Sequence, residues 1–294
     1  MPNGIIIIDK PAGWTSMDVC AKLRGMFREK RVGHAGTLDP MATGVLPVFI
    51  SRATRAVEFA ADSDKEYICE LKLGVITNTQ DATGEVLEER PVNVGREDVE
   101  AALPRFIGPI EQVPPMFSAV KINGKKLYEL ARKGKEVERR PRPITIHALE
   151  ILDASTDGTS YRLRAACSKG TYVRTLCHDI GQVLGCGGCM SSLQRVKAAG
   201  FTLADSVTLE TVQEAVDRGE GESLLLPVDC CFRDRPRLTL QTAAAEKKIR
   251  NGATLAARDI PDGEYRVYGM DKTFLALGKV ADNRLTTVKS FFEV

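Results

Sequence analysis

The candidate chemistry of this 294-residue chain gathers in one stretch, Arg31-Val-Gly-His-Ala-Gly-Thr-Leu-Asp-Pro-Met-Ala-Thr-Gly44. From Glu29 to Gly44 no helical or strand periodicity is visible, and three glycines and a proline interrupt the run. Within Arg31–Gly44 stand one carboxylate, Asp39, and one imidazole, His34, among small residues that allow backbone or ligand to come close. A long glycine-containing loop inside a compact domain is often functional, and a lone carboxylate can serve as nucleophile or as base. Plainer readings exist for both residues. Asp39-Pro40 also fits an Asx-type turn opener, and His34 also fits an ordinary polar contact in a loop.

Charge singles out a second stretch. Lys121, Lys125, Lys126, Arg132, Lys133, Lys135, Arg139, Arg140 and Arg142 crowd into residues 121–143 with only three acidic residues. The net charge of the chain is +2, so the other residues carry 32 basic and 36 acidic groups, or −4. The whole positive excess lies in this segment. It fits a solvated helix face or a phosphate-binding surface equally well.

The chain is long enough for roughly two domains, and 43% apolar residues supply their cores. No stretch nears the ~18 uninterrupted apolar residues of a membrane span. Met1-Pro2-Asn3-Gly4 lacks the basic lead of a signal peptide, and Ile5–Ile8 is too short for its apolar core. The expected location is the cytoplasm, where the eight cysteines stay reduced. Cys186-Gly-Gly-Cys189 is the one suggestive spacing. A structural zinc site needs four ligands, usually two such pairs, so no metal is expected.

The elements that must position the loop follow from patterning. Gly4–Asp9 reads as a short buried strand, and Asp9–Trp14 as a turn. Ser16 caps a helix from Met17 to about Arg28. Strands are expected at 45–50, 65–73, 143–153 and 159–168, and helices to about 60 and at 96–106, 125–133 and 171–184. Tyr67, Cys69, Leu71 and Leu73 share one strand face. Irregular interleaving predicts an α+β fold with a mixed sheet, not a parallel βαβ repeat. Beyond about Pro236, a helix at 242–250 and strand-like runs at 253–257, 264–269, 274–280 and 285–292 predict a small β-barrel or sandwich. The boundary falls within Asp229–Pro236, dividing the chain into 1–232 and 236–294.

The loop pattern Val32-Gly33-His34, Gly36-Thr37-Leu38-Asp39-Pro40 and Ala42-Thr43-Gly44 resembles the catalytic motif of the TruB-type tRNA pseudouridine synthases of bacteria. Four further motifs follow in order. Asp9–Ser16 resembles the family's N-terminal motif, and Lys65-Glu66-Tyr67 its Lys-x-Tyr strand. Met116–Tyr128 resembles its tRNA-facing insertion (here about 107–143), and Cys167–Leu176 its second active-site segment. The C-terminal β-rich stretch fits the family's PUA-like domain. Arg195 and Phe201 fit the family's arginine-rich strand, although Gly200 departs from the usual glycine position, and Cys186/Cys189 are not a family feature.

This resemblance implies isomerisation of uridine to pseudouridine in the T-loop of tRNA (position 55 in tRNA numbering), by base flipping with Asp39 as nucleophile. The N1–C1′ bond breaks and a C5–C1′ bond forms with no redox change, so no cofactor is required. Attack at C6, attack at C1′ and a glycal route all stay open. Tyr67 would stack on the uracil, Tyr172 and Leu193 would wall the pocket, and His34 would help flipping. Arg174 would pair with Asp39 and keep it ionised, and Lys10 would orient the loop. Lys121, Lys125, Lys126, Arg132, Arg139, Arg140 and Arg142 would contact the T-arm. The expected partner is tRNA alone, bound by a monomer with no membrane and no obligatory protein partner. Two rivals are an RNA-binding or tRNA-folding module with dispensable catalysis, and the relative that works in guide-RNA complexes, which usually carries long extensions.

Overall fold

The computed structural model describes residues 2–122 and 124–292; Asn123, within one of the quoted motifs, lies outside the described residues. The main sheet has nine strands: β1 Gly4–Lys10, β2 Val32–His34, β3 Thr43–Ile50, β4 Lys65–Leu73, β5 Gly108–Gln112, β6 Arg142–Ala154, β7 Ser160–Cys167, β8 Gly188–Ala198 and β9 Phe201–Thr202. Their order is β1-β3-β8-β4-β7-β6-β5, with β2 on β3 and β9 on β8. Only β3 and β8 run parallel, meeting at Thr43–Gln194 and Gly44–Arg195. This is the mixed sheet of the expected α+β fold.

The isoleucine run is buried because β1 has core on both faces. Ile6 and Ile8 enter one hydrophobic cluster, Ile5 and Ile7 the other. Helix α1, Ser16–Phe27, starts one residue earlier than expected. Thr15 is its N-cap, with Asp18 completing a capping box. Ser16, expected as the cap, instead buries its hydroxyl against the Leu38 backbone, accepting from the amide at 2.9 Å and donating to the carbonyl at 3.2 Å. Between 121 and 131 a two-stranded hairpin, Lys121–Ile122 with Lys125–Lys126, replaces the first turn of the expected helix, which begins only at Leu127. Helix α2, Val173–Val183, packs on the start of β8 at Gly181. A Cβ there would stand 2.3 Å from the Gly187 carbonyl carbon.

Residues 237–290 form a curled five-stranded sheet, an open half-barrel, with a helix at Ala243–Arg250 and a core around Val267, Leu275 and Ile249. It docks on the first unit through aromatic rings. Phe232 lies 5.3 Å from Phe59, 6.1 Å from Phe274 and 5.8 Å from Phe291. The Tyr268 hydroxyl donates to Asp229 at 2.5 Å, and Arg55 donates to the Ser290 carbonyl at 3.0 Å.

Gly44, at φ +98°, is where β8 crosses the end of the loop. A Cβ there would lie 2.2 Å from the Arg195 carbonyl oxygen. Gly200 has a similar φ, +80°, with open space around it. Gly200→Ala should therefore cost only the left-handed backbone penalty, about 1–2 kcal/mol. Gly44→Ala adds overpacking against main chain and should cost at least about 3 kcal/mol. Urea denaturation of both variants checks this; equal losses would mean that the strands separate freely at the crossing.

Candidate active site

The loop after β2 ends in a cleft of about 720 Å³, within the usual range for ligand sites. Asp39 lines it together with Tyr67, Tyr172, Arg174 and Leu193. Five of the predicted active-site residues thus share one cavity, although they come from four separate chain segments.

Each is held for a local reason. Tyr67 sits on β4 opposite Arg195 of β8 and Ala165 of β7. Leu193, also on β8, is buried. Tyr172 is the residue before α2, and the Gln112 side-chain amide brackets its backbone, accepting from its N–H at 2.8 Å and donating to its carbonyl at 3.1 Å. Arg174 lies in the first turn of α2, off the apolar stripe, with its side chain only 5% exposed. Its Nε lies 2.9 Å from Asp39 Oδ2, and its Nη2 donates to Asp39 Oδ1 at 3.5 Å. The same guanidinium donates to the carbonyls of Thr79 and Phe117, both at 3.0 Å, and stands 3.4 Å from Asp81 Oδ2.

Asp81 escaped the sequence reading. It lies in the turn Thr79-Gln-Asp-Ala-Thr83, whose composition signals only an Asx-type turn. Its Oδ1 does accept from Thr79 Oγ1 at 2.8 Å, Thr83 N at 3.0 Å and Thr83 Oγ1 at 2.6 Å. That leaves Oδ2 for Arg174, and the side chain reaches the cleft. The sequence marks Arg195 only as part of a strand. It is 1% exposed, and it donates to the Val45 carbonyl at 2.8 Å and the Gly36 carbonyl at 3.0 Å. It thereby ties both flanks of the Asp39 loop to β8.

Lys10 lies outside the cleft lining, behind the loop. Fully buried, it donates to the carbonyls of Trp14 at 2.6 Å, Pro11 at 2.9 Å and Pro40 at 3.3 Å, next to Asp39 in sequence. Burial lowers its pKa to about 8, against the pull of Asp39. His34 does not line the cleft either. It pairs with Val48 on the sheet, and burial, then the Arg195 charge, lowers its pKa.

Asp39 has the expected arginine partner, yet the two influences on its carboxyl oppose each other. Burial pushes its carboxyl above the ordinary value; Arg174 opposes this, while Asp81 adds to it. The guanidinium offsets desolvation without overcoming it. The Tyr67 hydroxyl is likewise pushed up by burial, with Arg195 pulling the other way.

Of the basic residues in this segment, only Arg132 lines the cleft. Lys121, Lys125, Arg140 and Arg142 are exposed elsewhere, and Lys126 is half-buried against Tyr128. Arg139 is turned into the protein, donating to the Pro114 carbonyl at 3.3 Å and to Glu136 at 2.9 Å. Among the described residues no group of His, Cys, Asp and Glu side chains could hold a metal ion, and no helix is long and apolar enough to cross a membrane.

Comparison with known proteins agrees with this geometry. Residues 24–173 match the model of the TruB family pseudouridylate synthase N-terminal domain, and residues 174–233 that of the tRNA pseudouridylate synthase B C-terminal domain. The tRNA pseudouridine synthase B of Pseudomonas putida is 45% identical over 285 residues, covering 96% of this chain and 92% of that protein. That of Clostridium kluyveri is 41% identical over 297 residues, covering 98% and 99%. Among solved structures, a Cbf5-Nop10-Gar1 complex superposes with a TM-score of 0.75 at 26% identity, covering 98% of this chain and 85% of the matched one. With both halves of the cleft falling inside matched segments, the chain belongs to the TruB family of pseudouridylate synthases.

Proposed function

We propose that this protein isomerises uridine to pseudouridine in the T-loop of tRNA, at position 55 in tRNA numbering, with Asp39 as the nucleophile. The observation that carries the reading is the Asp39–Arg174 pair at 2.9 Å, set in a cleft walled by Tyr67, Tyr172 and Leu193. A uridine stacked in RNA is out of reach of a carboxylate set within a cleft, so it must be extruded and held against aromatic and apolar walls. Tyr67 is the stacking partner in this reading. Arg174 aims the carboxylate, while Lys10, Ser16 and Arg195 fix the loop that carries it. His34, outside the cleft, meets the RNA around the extruded nucleotide. The isomerisation exchanges one glycosidic bond for another without redox change, so side chains suffice and no cofactor is invoked.

The protein would work in the cytoplasm as a monomer without an obligatory protein partner. Its basic segment would follow the T-arm by shape and phosphate contacts, with the C-terminal half-barrel, PUA-like in this reading, extending the footprint.

Asp39→Asn should abolish pseudouridine formation and leave tRNA affinity nearly unchanged, because it removes the nucleophile at constant shape. Sequencing-based detection on purified tRNA checks this; more than a few per cent residual turnover would sink the assignment. The ionised carboxylate is the active form, and its pKa is raised. The single-turnover rate should therefore fall, as pH drops, with a midpoint above the ordinary ~3.9 of an aspartate. Asp81→Asn removes one upward influence and should move that midpoint down, whatever it does to the plateau. A midpoint at or below the ordinary value in the parent would contradict the burial argument. For the basic segment, the exposed pair Arg140→Ala/Arg142→Ala should lower the slope of log affinity against log salt by roughly 0.7–0.9 per lost phosphate contact. Arg139 is left intact there because it is bonded within the protein. Parallel salt lines would mean that these two charges only face solvent.

A further inference from the structure

One cation in the cleft stands apart from the others. Lys65, Arg174 and Arg195 also line it, but each is committed to the protein. Lys65 donates to the Ala61 and Ser63 carbonyls, Arg174 holds Asp39 and Asp81, and Arg195 holds Val45 and Gly36. Arg132 is exposed, and among the described residues no hydrogen bond or ion pair engages its guanidinium. What holds it is a ring. Its guanidinium carbon lies 5.3 Å from the centroid of Tyr128, which also lines the cleft, and Lys126 Nζ lies 5.3 Å from the same centroid and donates to the Tyr128 hydroxyl at 3.2 Å. Such stacking holds a planar guanidinium in place while leaving its N–H groups free to donate. The cassette is tied to the cleft wall. Leu127 is fully buried, and the backbone N–H groups of Leu127 and Tyr128 donate to the Val120 and Ser118 carbonyls at 2.8 and 3.1 Å.

A uridine inserted to Asp39 brings its own backbone along. Its flanking phosphates lie within a sugar's width of the reacting C1′, so they come to the mouth of the same cleft. There they meet the carboxylates of Asp39 and Asp81, with the buried cations already spoken for. Base flipping also bends the backbone and crowds neighbouring phosphates. Both effects oppose entry, and a pre-positioned guanidinium relieves both. We propose that Arg132, stacked on Tyr128, binds a phosphate immediately flanking the extruded uridine. This rests on the functional reading above and deepens it. Arg132 acts at the reacting nucleotide, whereas Lys121, Arg140 and Arg142 lie outside the cleft.

The test uses the full-length protein and three synthetic T-arm stem-loops. One is unmodified; the others carry a neutral methylphosphonate in place of the phosphate on the 5′ or the 3′ side of the target uridine. Dissociation constants are measured for the parent, Arg132→Ala, Arg132→Lys and Tyr128→Leu, and single-turnover rates alongside. A charge-assisted contact predicts that the parent loses about ten- to hundredfold in affinity with one of the two modified RNAs. Arg132→Ala should lose the same factor on the unmodified RNA and nothing more on that modified one. Arg132→Lys should keep part of the discrimination, and Tyr128→Leu should lose part of it. A residue that merely supports the fold would weaken all three RNAs equally. The inference is overturned if the parent tolerates both methylphosphonates, or if Arg132→Ala and the modification weaken binding additively. Conversion of the unmodified stem-loop by the parent judges the functional reading separately, since the affinities decide on Arg132 even if no pseudouridine forms.

Discussion

Arg174 brings a full positive charge into a place with almost no water, between two carboxylates that would repel each other without it. Desolvating such a group costs several kcal/mol, and only good geometry on every side repays it. The geometry is supplied from three directions: Asp39 from the loop, Asp81 from the turn at 79–83, and the carbonyls of Thr79 and Phe117. The position of Phe117 matters, because it lies at the base of the basic insertion. One guanidinium therefore connects the carboxylate proposed to react, the turn at 79–83, and the root of the segment read as RNA-facing. Burial still wins at Asp39, whose pKa rises despite its partner. A carboxylate held in this way is a better base and a less solvated nucleophile than one on the surface.

The second constraint is mechanical. The Asp39 loop has little secondary structure of its own, so its shape must come from outside. Arg195 grips its carbonyls at Gly36 and Val45, Lys10 grips Pro40, and Ser16 brackets Leu38 on both its amide and its carbonyl. The parallel crossing of β3 and β8 makes the Arg195 grip possible, and that crossing depends on the missing side chain of Gly44. Backbone strain and polar burial are thus spent on one object, a carboxylate that cannot swing away.

Much of this was legible in the residues. The isoleucine run of β1, the alternation of Lys65–Leu73 and the apolar stripe of α2 each declare their element, because one period persists through the segment. Strand β8 declares nothing by period, since register shifts at Met190/Ser192 and Arg195/Lys197 break its alternation. The hairpin before Leu127 was lost for another reason, as polar residues satisfy a short β-turn and a helix start alike. At the site, Asp39 stands out as the lone carboxylate of its loop, Tyr67, Tyr172, Leu193 and Arg174 follow from motif resemblance, and the geometry gathers them. Asp81 could not be found in this way. Its neighbours advertise a turn, and its second carboxylate oxygen acquires a task only once α2 has docked 93 residues later. Ser16 and Thr15 are equally good caps by residue type, and only the structure assigns the role to Thr15.

The distribution of cations separates holding from binding. Lys10, Lys65, Arg174 and Arg195 are spent on carbonyls and carboxylates of the chain itself, so they offer an incoming polyanion little attraction. Under the proposed function, affinity would come from where cations face water, on the segment 121–143 and at Arg132 on the cleft rim. Binding energy gained there would drive the proposed unstacking and insertion of the base, which the interior alone would not induce. For that transfer to work, the outer footprint and the cleft must keep a fixed relation. The aromatic cluster of Phe59, Phe232, Phe274 and Phe291, with the Tyr268–Asp229 bond, fixes the C-terminal half-barrel to the sheet bearing the loop. In the proposed function, an RNA gripped at both places would be presented to Asp39 at a set depth, decided by packed rings instead of by a flexible linker.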